Sequence, residues 1–396
     1  MKMRLPERVH LPARSDLIVI AAIALIVGVV LWWGQSNPID YTSLDTEGIT
    51  HPTGTVLEVV SEDLDPTPYD PNRYWGSQEL LVRIDNGELA GQEVQIHNEV
   101  SDTHYVICEA GTGVVVRLEM QEGLEPYYSI YNYDRSWGLV GILAVFAAFM
   151  VAVGRMKGLK SLIGLAFAIF LIACFLLPAF YHGYPVISVT VGVVLAITVS
   201  SMTLLNGWSA KTRVAILATM CGVAVAALFY AIFSAVLHVG GYNMGEAENL
   251  IFLRQRAGFE VGDVLFTCVL IASLGAVLDM TMGVTSALFE MRQVHPAITQ
   301  RELFRAGMDM GQDMTGTMCT TLILAFAGGA IHTLLSLLTY GTQAFQLLNS
   351  DYLALEVFQS LVGSIAVILA VPLAAAFSAW ALGRPISSAK TSKKRR

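Results

Sequence analysis

The sequence predicts a polytopic α-helical membrane protein: eight transmembrane helices, with a small all-β, OB-like extracytoplasmic domain between the first and the second. Three observations lead there. The 396 residues are 54% hydrophobic and 14% charged, where a soluble domain carries about 25% charge. The missing charge is concentrated in eight apolar runs, near 17–34, 138–154, 161–178, 185–205, 214–239, 262–288, 317–339 and 357–381. Each is long enough, or nearly so, to cross about 30 Å of hydrocarbon as a helix. Third, the basic residues alternate with the runs, 18 on the N-terminal side of the membrane against 6 on the other. By the positive-inside rule both termini are then cytoplasmic and residues 35–136 lie outside.

The chain divides accordingly. Residues 1–16 are a basic cytoplasmic segment with Lys2, Arg4, Arg8 and Arg14. The run 17–34 ends in Trp32 and Trp33. It is longer than a signal-peptide core and lacks a small-residue cleavage site, so it reads as a retained helix with an aromatic interface anchor. In 35–136, alternating runs at 54–60, 79–85, 93–97, 114–119 and 128–133 read as strands, separated by Asp65–Pro66, Asp70–Pro71, Asn86–Gly87 and Gly111–Gly113. Five short strands fit a small OB-type barrel or a short sandwich. This domain holds 19 Asp and Glu against 4 Lys and Arg, a formal charge of about −15, and could gather cations near a pore or be a solvated acidic face. Residues 137–383 form a seven-helix membrane domain, and 384–396 a basic cytoplasmic tail. The connector 240–261 contains a stretch, Glu248 to Phe259, with apolar residues on one helical face, either an interfacial helix or a plain link.

Five cysteines are present without a CxxC, and Cys108 is alone in the outer domain, so no disulfide framework is expected there. His51, His97 and His104 lack metal-ligand spacing. No P-loop, HExxH or GxSxG occurs, so ATP hydrolysis and the common hydrolase chemistries are not expected, and no cofactor or structural metal is called for. Nucleic-acid binding has no footprint beyond the tail.

The stretch 273–335 says most about function. Asp279 lies well inside an apolar helix, where a carboxylate costs about 2.5–3.5 kcal/mol on insertion scales and should face protein or water. Gly275 and Gly283 flank it four residues to either side, a small-xxx-small arrangement that admits a close neighbour; Thr315, Thr317, Thr320 and Thr321 of the following span are the expected neighbours. After Pro296, Thr299 and Glu302 form a T-x-x-E capping box. Arg301, Arg305, Asp309 and Asp313 then recur every four residues. They form a charged stripe, either on a helix lying along the cytoplasmic surface or with Asp313 turned to the bundle. In the second case Asp279, Glu290, Asp309 and Asp313, with Thr317, Thr320 and Thr321, line a proton or cation path. Gly307, Gly311, Gly316, Gly328 and Gly329 supply hinges or close packing. Met310, Met314 and Met318 repeat at helical spacing and read as packing rather than as a soft-metal site.

At GAVLDMTM (275–282), MDMGQDMTGTM (308–318) and TLILAFAGG (321–329) the chain resembles the YibE/F-like family of multi-spanning bacterial membrane proteins. The resemblance extends to GTVLEVV, VQIHN and YSIYNYDR in the outer domain. The family usually has Asn before TLILA, where Thr320 stands here. The resemblance implies a bacterial cell membrane and no established reaction. The order Asp279, Glu290, Pro296, amphipathic helix, Thr320–Thr321 is also similar to one half of an RND-type or SecF-type permease, whose intramembrane Asp takes part in proton coupling. Those proteins place the Asp helix fourth, whereas here it is sixth.

Two functional classes follow. One is a secondary transporter or export permease coupled to a proton or cation gradient through Asp279. The other is a non-catalytic scaffold or assembly factor acting through the outer domain. An intramembrane aspartyl pair, Asp279 with Asp313, is a weaker third. The expected partners are the bilayer, a proton or cation, and a small-molecule or peptide substrate of unread identity. The small-residue faces also permit a homo-oligomer.

Overall fold

A computed structural model describes residues 14–39, 48–120, 123, 125–242 and 247–383, without the side chains of 14–17 and 256. Most of the basic N-terminal segment, residues 1–13, and the basic tail 384–396 lie outside the described residues. Residues 40–154 pack as one compact unit and the rest of the chain as another.

The first unit carries six strands, β1 (Ile49–Thr50), β2 (Thr53–Pro66), β3 (Tyr74–Ile84), β4 (Glu93–Val100), β5 (Gly113–Glu119) and β6 (Tyr127–Tyr133). All pairings are antiparallel, in the order β1-β5-β2-β3-β4, with β6 also on β5. The sheet curls into a half-barrel. The five expected strands are all present. Alternation fills the core: in β3, Leu80, Val82 and Ile84 are buried while Glu79 and Arg83 are not. Val56, Ile96, Val114, Val116 and Ile130 complete it. The β2–β3 hairpin runs beyond the core to Pro66 opposite Tyr74. Sequence reading stops that strand at residue 60 because Glu62, Asp63 and Asp65 are wet on both faces and leave no alternation. Register shifts at Val56/Glu58 and Val59/Ser61 bend the long strand. Opposite Leu64, Gly76 holds φ 136, and a Cβ there would lie 1.9 Å from the Asp63 carbonyl oxygen.

A polar network pins the segment after β4. Gln78, fully buried, accepts from the Cys108 N–H at 2.9 Å, and its Nε2 donates to the Cys108 carbonyl at 3.0 Å and to Glu62 at 2.7 Å. Asn98 donates to the Val106 carbonyl at 2.8 Å. The Tyr133 hydroxyl donates to the Ile107 carbonyl and accepts from its N–H. Every backbone polar group of 107 and 108 is thus satisfied away from the ladder. Burial pushes the Cys108 thiol up to about 11.

Among the described residues seven helices are long and apolar enough to cross a membrane. α1 (Arg14–Ser36) is followed, after the strands, by α2 (Ser136–Leu171), a π turn at Ile172–Leu176 and α3 (Leu177–Tyr181). These three are one continuous helical stretch of 46 residues, about 69 Å at 1.5 Å per residue and far more than one crossing needs. The stretch breaks at Arg155, whose φ of 49° and ψ of −130° are not helical. It is this break, with no intervening loop, that separates the second and third expected spans. The π turn precedes Pro178, which has no N–H to continue the ladder. The Leu177 N–H reaches back to the Ile172 carbonyl instead.

The remaining helices are α4 (Val186–Asn206), α5 (Ala210–Leu237), α6 (Ala247–Ala257), α7 (Val261–Val294), α8 (Gln300–Thr339), α9 (Ala344–Leu348) and α10 (Asp351–Leu382). Ser209 and Ser350 cap α5 and α10, and Thr299 with Glu302 forms the expected capping box on α8. α6 realises the amphipathic stretch of the connector. Arg254 ties it to the start of α7, donating to Tyr242 at 2.7 Å and to Glu260 at 2.8 Å. On α1, Trp33 packs edge-on against Phe175 and Tyr184, whereas Trp32 is exposed.

α7 packs on α4, α5, α8 and α10, and α10 on α5, α7 and α8. Small residues bring the axes close. A Cβ on Gly222 would meet Val277 at 3.0 Å and Ala370 at 3.6 Å, which marks the meeting of α5, α7 and α10. The amphipathic stretch after Thr299 is not a separate surface helix. α8 runs unbroken for 40 residues into the span, because no proline interrupts it and its first glycines are packed against neighbours.

Candidate functional site

α7 is the helix on which the candidate site is built. Its buried arc carries Ser273, Val277, Met280, Thr281, Val284 and Thr285. Three hydroxyl contacts radiate from it to three neighbours. Thr267 meets Thr190 of α4 at 2.7 Å, Thr281 meets Thr219 of α5 at 2.6 Å, and Thr285 accepts from Ser378 of α10 at 3.4 Å. Thr267 and Thr281 also donate to carbonyls one turn back on α7, Asp263 at 3.0 Å and Val277 at 2.9 Å. Sequence reading missed these pairs. Their trace was Thr281 and Thr285, one turn apart on the face that carries Val277.

Asp279 is on the opposite arc. It is exposed and makes no hydrogen bond or ion pair to another described residue. At 100° per residue its direction falls between two neighbours of α7. On one side Ile271, Gly275 and Leu278 line a groove shared with α2 and α4. On the other, Gly283 faces α8, where a Cβ would meet the Met314 Cε at 3.0 Å. The carboxylate is therefore not a packing hydrogen bond between helices. The small residues flanking it differ in use: Gly283 admits Met314, whereas Gly275 has nothing within 4 Å.

Two contacts fix the register of α7 and α8, Gly283 against Met314 and Leu288 against Gly307. Antiparallel helices with that register hold Thr317 about level with Asp279, and Thr320 and Thr321 about level with Gly275. Asp313 is about level with Gly283, and Asp309 and Glu290 lie nearer the end where Arg292 donates to the Ile298 carbonyl. Asp309, Asp313, Thr317, Thr320, Thr321 and Glu290 are all exposed. The structure thus brings the carboxylates and threonines to neighbouring levels of one helical pair. The threonines do not fill the space beside Gly275. Thr317 and Thr321 donate to carbonyls of α8 itself, at 2.9 and 2.8 Å, as does Thr315 at 2.7 Å. Arg301, Arg305, Asp309 and Asp313 are exposed together, and among the described residues no ion pair joins them.

The glycines separate into two groups. Gly307 and Gly311 are buried against α10: a Cβ would lie 2.8 Å from that of Ala375 and 2.1 Å from Val371 Cγ1, respectively. Gly316, Gly328 and Gly329 have nothing within 4 Å and lie on exposed turns of α8. Half-buried Glu356 on α10 is a further carboxylate; placing the start of that span at 357 had left it outside.

Chemically, the arrangement offers a carboxylate without a partner among the described residues, midway along an apolar helix, with a glycine notch beside it and hydroxyls at the same level. It suits reversible holding of a proton or a small cation.

A family model described as YibE/F-like protein matches residues 142–384. The match takes in the apolar helices from within α2 onward and leaves out the six strands. No curated protein and no solved structure matches the chain.

Proposed function

The chain belongs to the YibE/F-like protein family, and from that premise we propose that it is a secondary transporter or export permease driven by a proton or cation gradient through Asp279. The observation that carries this reading is the position of Asp279: exposed, without a partner among the described residues, on the helix that contacts five others. A carboxylate kept there at a cost of about 2.5–3.5 kcal/mol needs a cation or water to meet it. Asp313, Asp309 and Glu290 continue the carboxylates toward the cytoplasmic end, and Thr317, Thr320 and Thr321 supply oxygens level with Asp279 and Gly275. In this reading the chain performs transport rather than catalysis, in a bacterial cell membrane.

The topology proposed with it has eight crossings, with the break at Arg155 as the reversal between the second and third. Both termini are then cytoplasmic and the β unit is outside, as the basic residues favour. The β unit is OB-like in this reading. The order β6-β5-β2-β3-β4 is that of a five-stranded Greek-key barrel whose last gap lies between β4 and β6.

The test compares metabolite and metal content of cells carrying the wild type, no protein, or Asp279→Asn. The variant should match the deletion while its membrane level equals the wild type. Wild-type behaviour of Asp279→Asn would overturn the reading. Loss of function on removing the acidic β unit alone, with Asp279→Asn active, would favour the scaffold instead.

A further inference from the structure

We propose that the groove between α2, α4 and α7 is a binding site for an anionic phospholipid of the cytoplasmic leaflet. This goes beyond the transport reading and does not rest on it. The groove has a volume of about 330 Å³, within the range of small-molecule sites. Its walls run from Lys160 on α2 to Ile172 at the start of the π turn, from Ile197 to Leu205 on α4 and from Ile271 to Leu278 on α7. Along α2 that is about 18 Å of helix, so the groove is long and parallel to the spans, as an acyl chain in a leaflet would be. Its middle is apolar and opened by small residues. Gly164 lies against Ser201, where a Cβ would come within 3.5 Å of the hydroxyl, and Gly275 leaves its side open.

The two ends differ in charge. The far end, at Ile172, Ile197 and Ile271, is wholly apolar. The near end holds Lys160 and Ser161, with Arg155 and Lys157 in the turn before and Lys211 and Arg213 beginning α5 just past the end of α4. The Ser161 and Ser201 hydroxyls make no hydrogen bond to another described residue. Their neighbours on α4 differ: Thr198 and Ser200 donate to their own helix at 2.7 and 3.1 Å. A phosphodiester at this end would accept from the lysine and the free hydroxyls, and its acyl chain would run toward Ile172. Charge complementarity selects an anionic headgroup over a neutral one, and the basic end is the one that the positive-inside rule places at the cytoplasmic leaflet.

The full chain, reconstituted in nanodiscs of equal parts phosphatidylcholine and phosphatidylglycerol, would be photolabelled with either lipid carrying a photoreactive acyl chain. Labelled positions are then mapped by peptide. Phosphatidylglycerol should label 160–172 and 271–278 in excess of 324–335, an exposed stretch of α8, and phosphatidylcholine should not. Lys160→Gln should cut groove labelling by about fivefold, the weight of one basic group at an anionic surface. Ala168→Trp should abolish it, with 324–335 unchanged in both. Equal labelling by the two lipids, or groove labelling indifferent to Lys160→Gln, would overturn the proposal. A phosphatidylcholine preference, or a co-purifying amphiphile of another class displacing both lipids, would overturn it as well.

Discussion

Replacing Gly311 by alanine tests the packing of α8 on α10 most directly. An ideal Cβ at 311 lies 2.1 Å from Val371 Cγ1, 2.9 Å from Cγ2 and 3.0 Å from Cβ. Ordinary contact begins near 3.4 Å, so α8 must retreat by about 1.3 Å, the difference from 2.1 Å. Val371 cannot turn away: a β-branched side chain in a helix has one favoured rotamer, and rotation exchanges one methyl for the other. Val371 is itself buried at 2% exposure. Overpacking of this kind costs about 1–3 kcal/mol, and this case belongs near about 3, roughly a hundredfold in the folded-to-unfolded ratio. Gly316→Ala, with nothing within 4 Å of its Cβ, is the control and should change stability by less than about 0.5 kcal/mol. Denaturant titration of the purified protein in mixed micelles reads both. Adding Val371→Ala to Gly311→Ala should return most of the loss, because it removes the two nearer atoms. Equal stability of the Gly311 and Gly316 variants, or no rescue by Val371→Ala, would refute the argument.

Gln78→Ala should destabilise the β unit by about 3 kcal/mol, since it strands the buried N–H and C=O of Cys108 at about 1–3 kcal/mol each; pulse proteolysis of the β unit reads it. The same unit should weaken in alkali. The Cys108 thiol ionises at about 11 when folded against about 9.0 for an ordinary thiol. The unfolded chain therefore loses its proton first, and stability falls by about 1.4 kcal/mol per pH unit between those values and is flat below them. Cys108→Ala should abolish that slope while lowering stability at neutral pH; an unchanged slope would show that another group titrates. Thr219→Val should cost no more than about 1 kcal/mol in the denaturant titration, because Thr281 keeps its bond to the Val277 carbonyl; a larger loss would mean the pair carries more than a single contact.

Much of this architecture is legible in the residues, and where it is not the reasons are physical. The strands of the β unit follow from alternation, which records one buried face; β2 outruns its reading where both faces are wet and alternation has no cause. The helices follow from the length of apolar runs, and the basic gap Arg155–Lys160, with Gly154 and Gly158, marks the break between the second and third. Spacing does not show that a single residue, Arg155 with φ 49°, makes that break without an intervening loop. In the hairpin, spacing identifies the capping box and the glycine pairs, because these are local. It cannot say which glycine meets a partner. Gly283 and Gly275 are equivalent in the sequence, yet one admits Met314 and the other is open. The threonines near Asp279 suggested a filled polar gap. Thr315, Thr317 and Thr321 satisfy themselves on their own helix, an option that spacing on a neighbouring segment does not reveal.

The hydroxyl contacts of α7 have a mechanical consequence. In the Thr219–Thr281 pair, the α7 member already donates to the Val277 carbonyl, so the proton between the two comes from Thr219. If α7 turned about its axis, Thr281 would lose nothing, and Thr219 could donate instead to the carbonyl four residues before it. The Thr190–Thr267 pair is wired in the same way. Each fastening therefore releases without orphaning a buried polar atom, and each is worth about 0.6 kcal/mol by the averages for such bonds in membranes. Most polar contacts between helices act as rivets; these act as detents, which hold a position and let it go. The helix that bears Asp279 is held by its neighbours through catches of this kind.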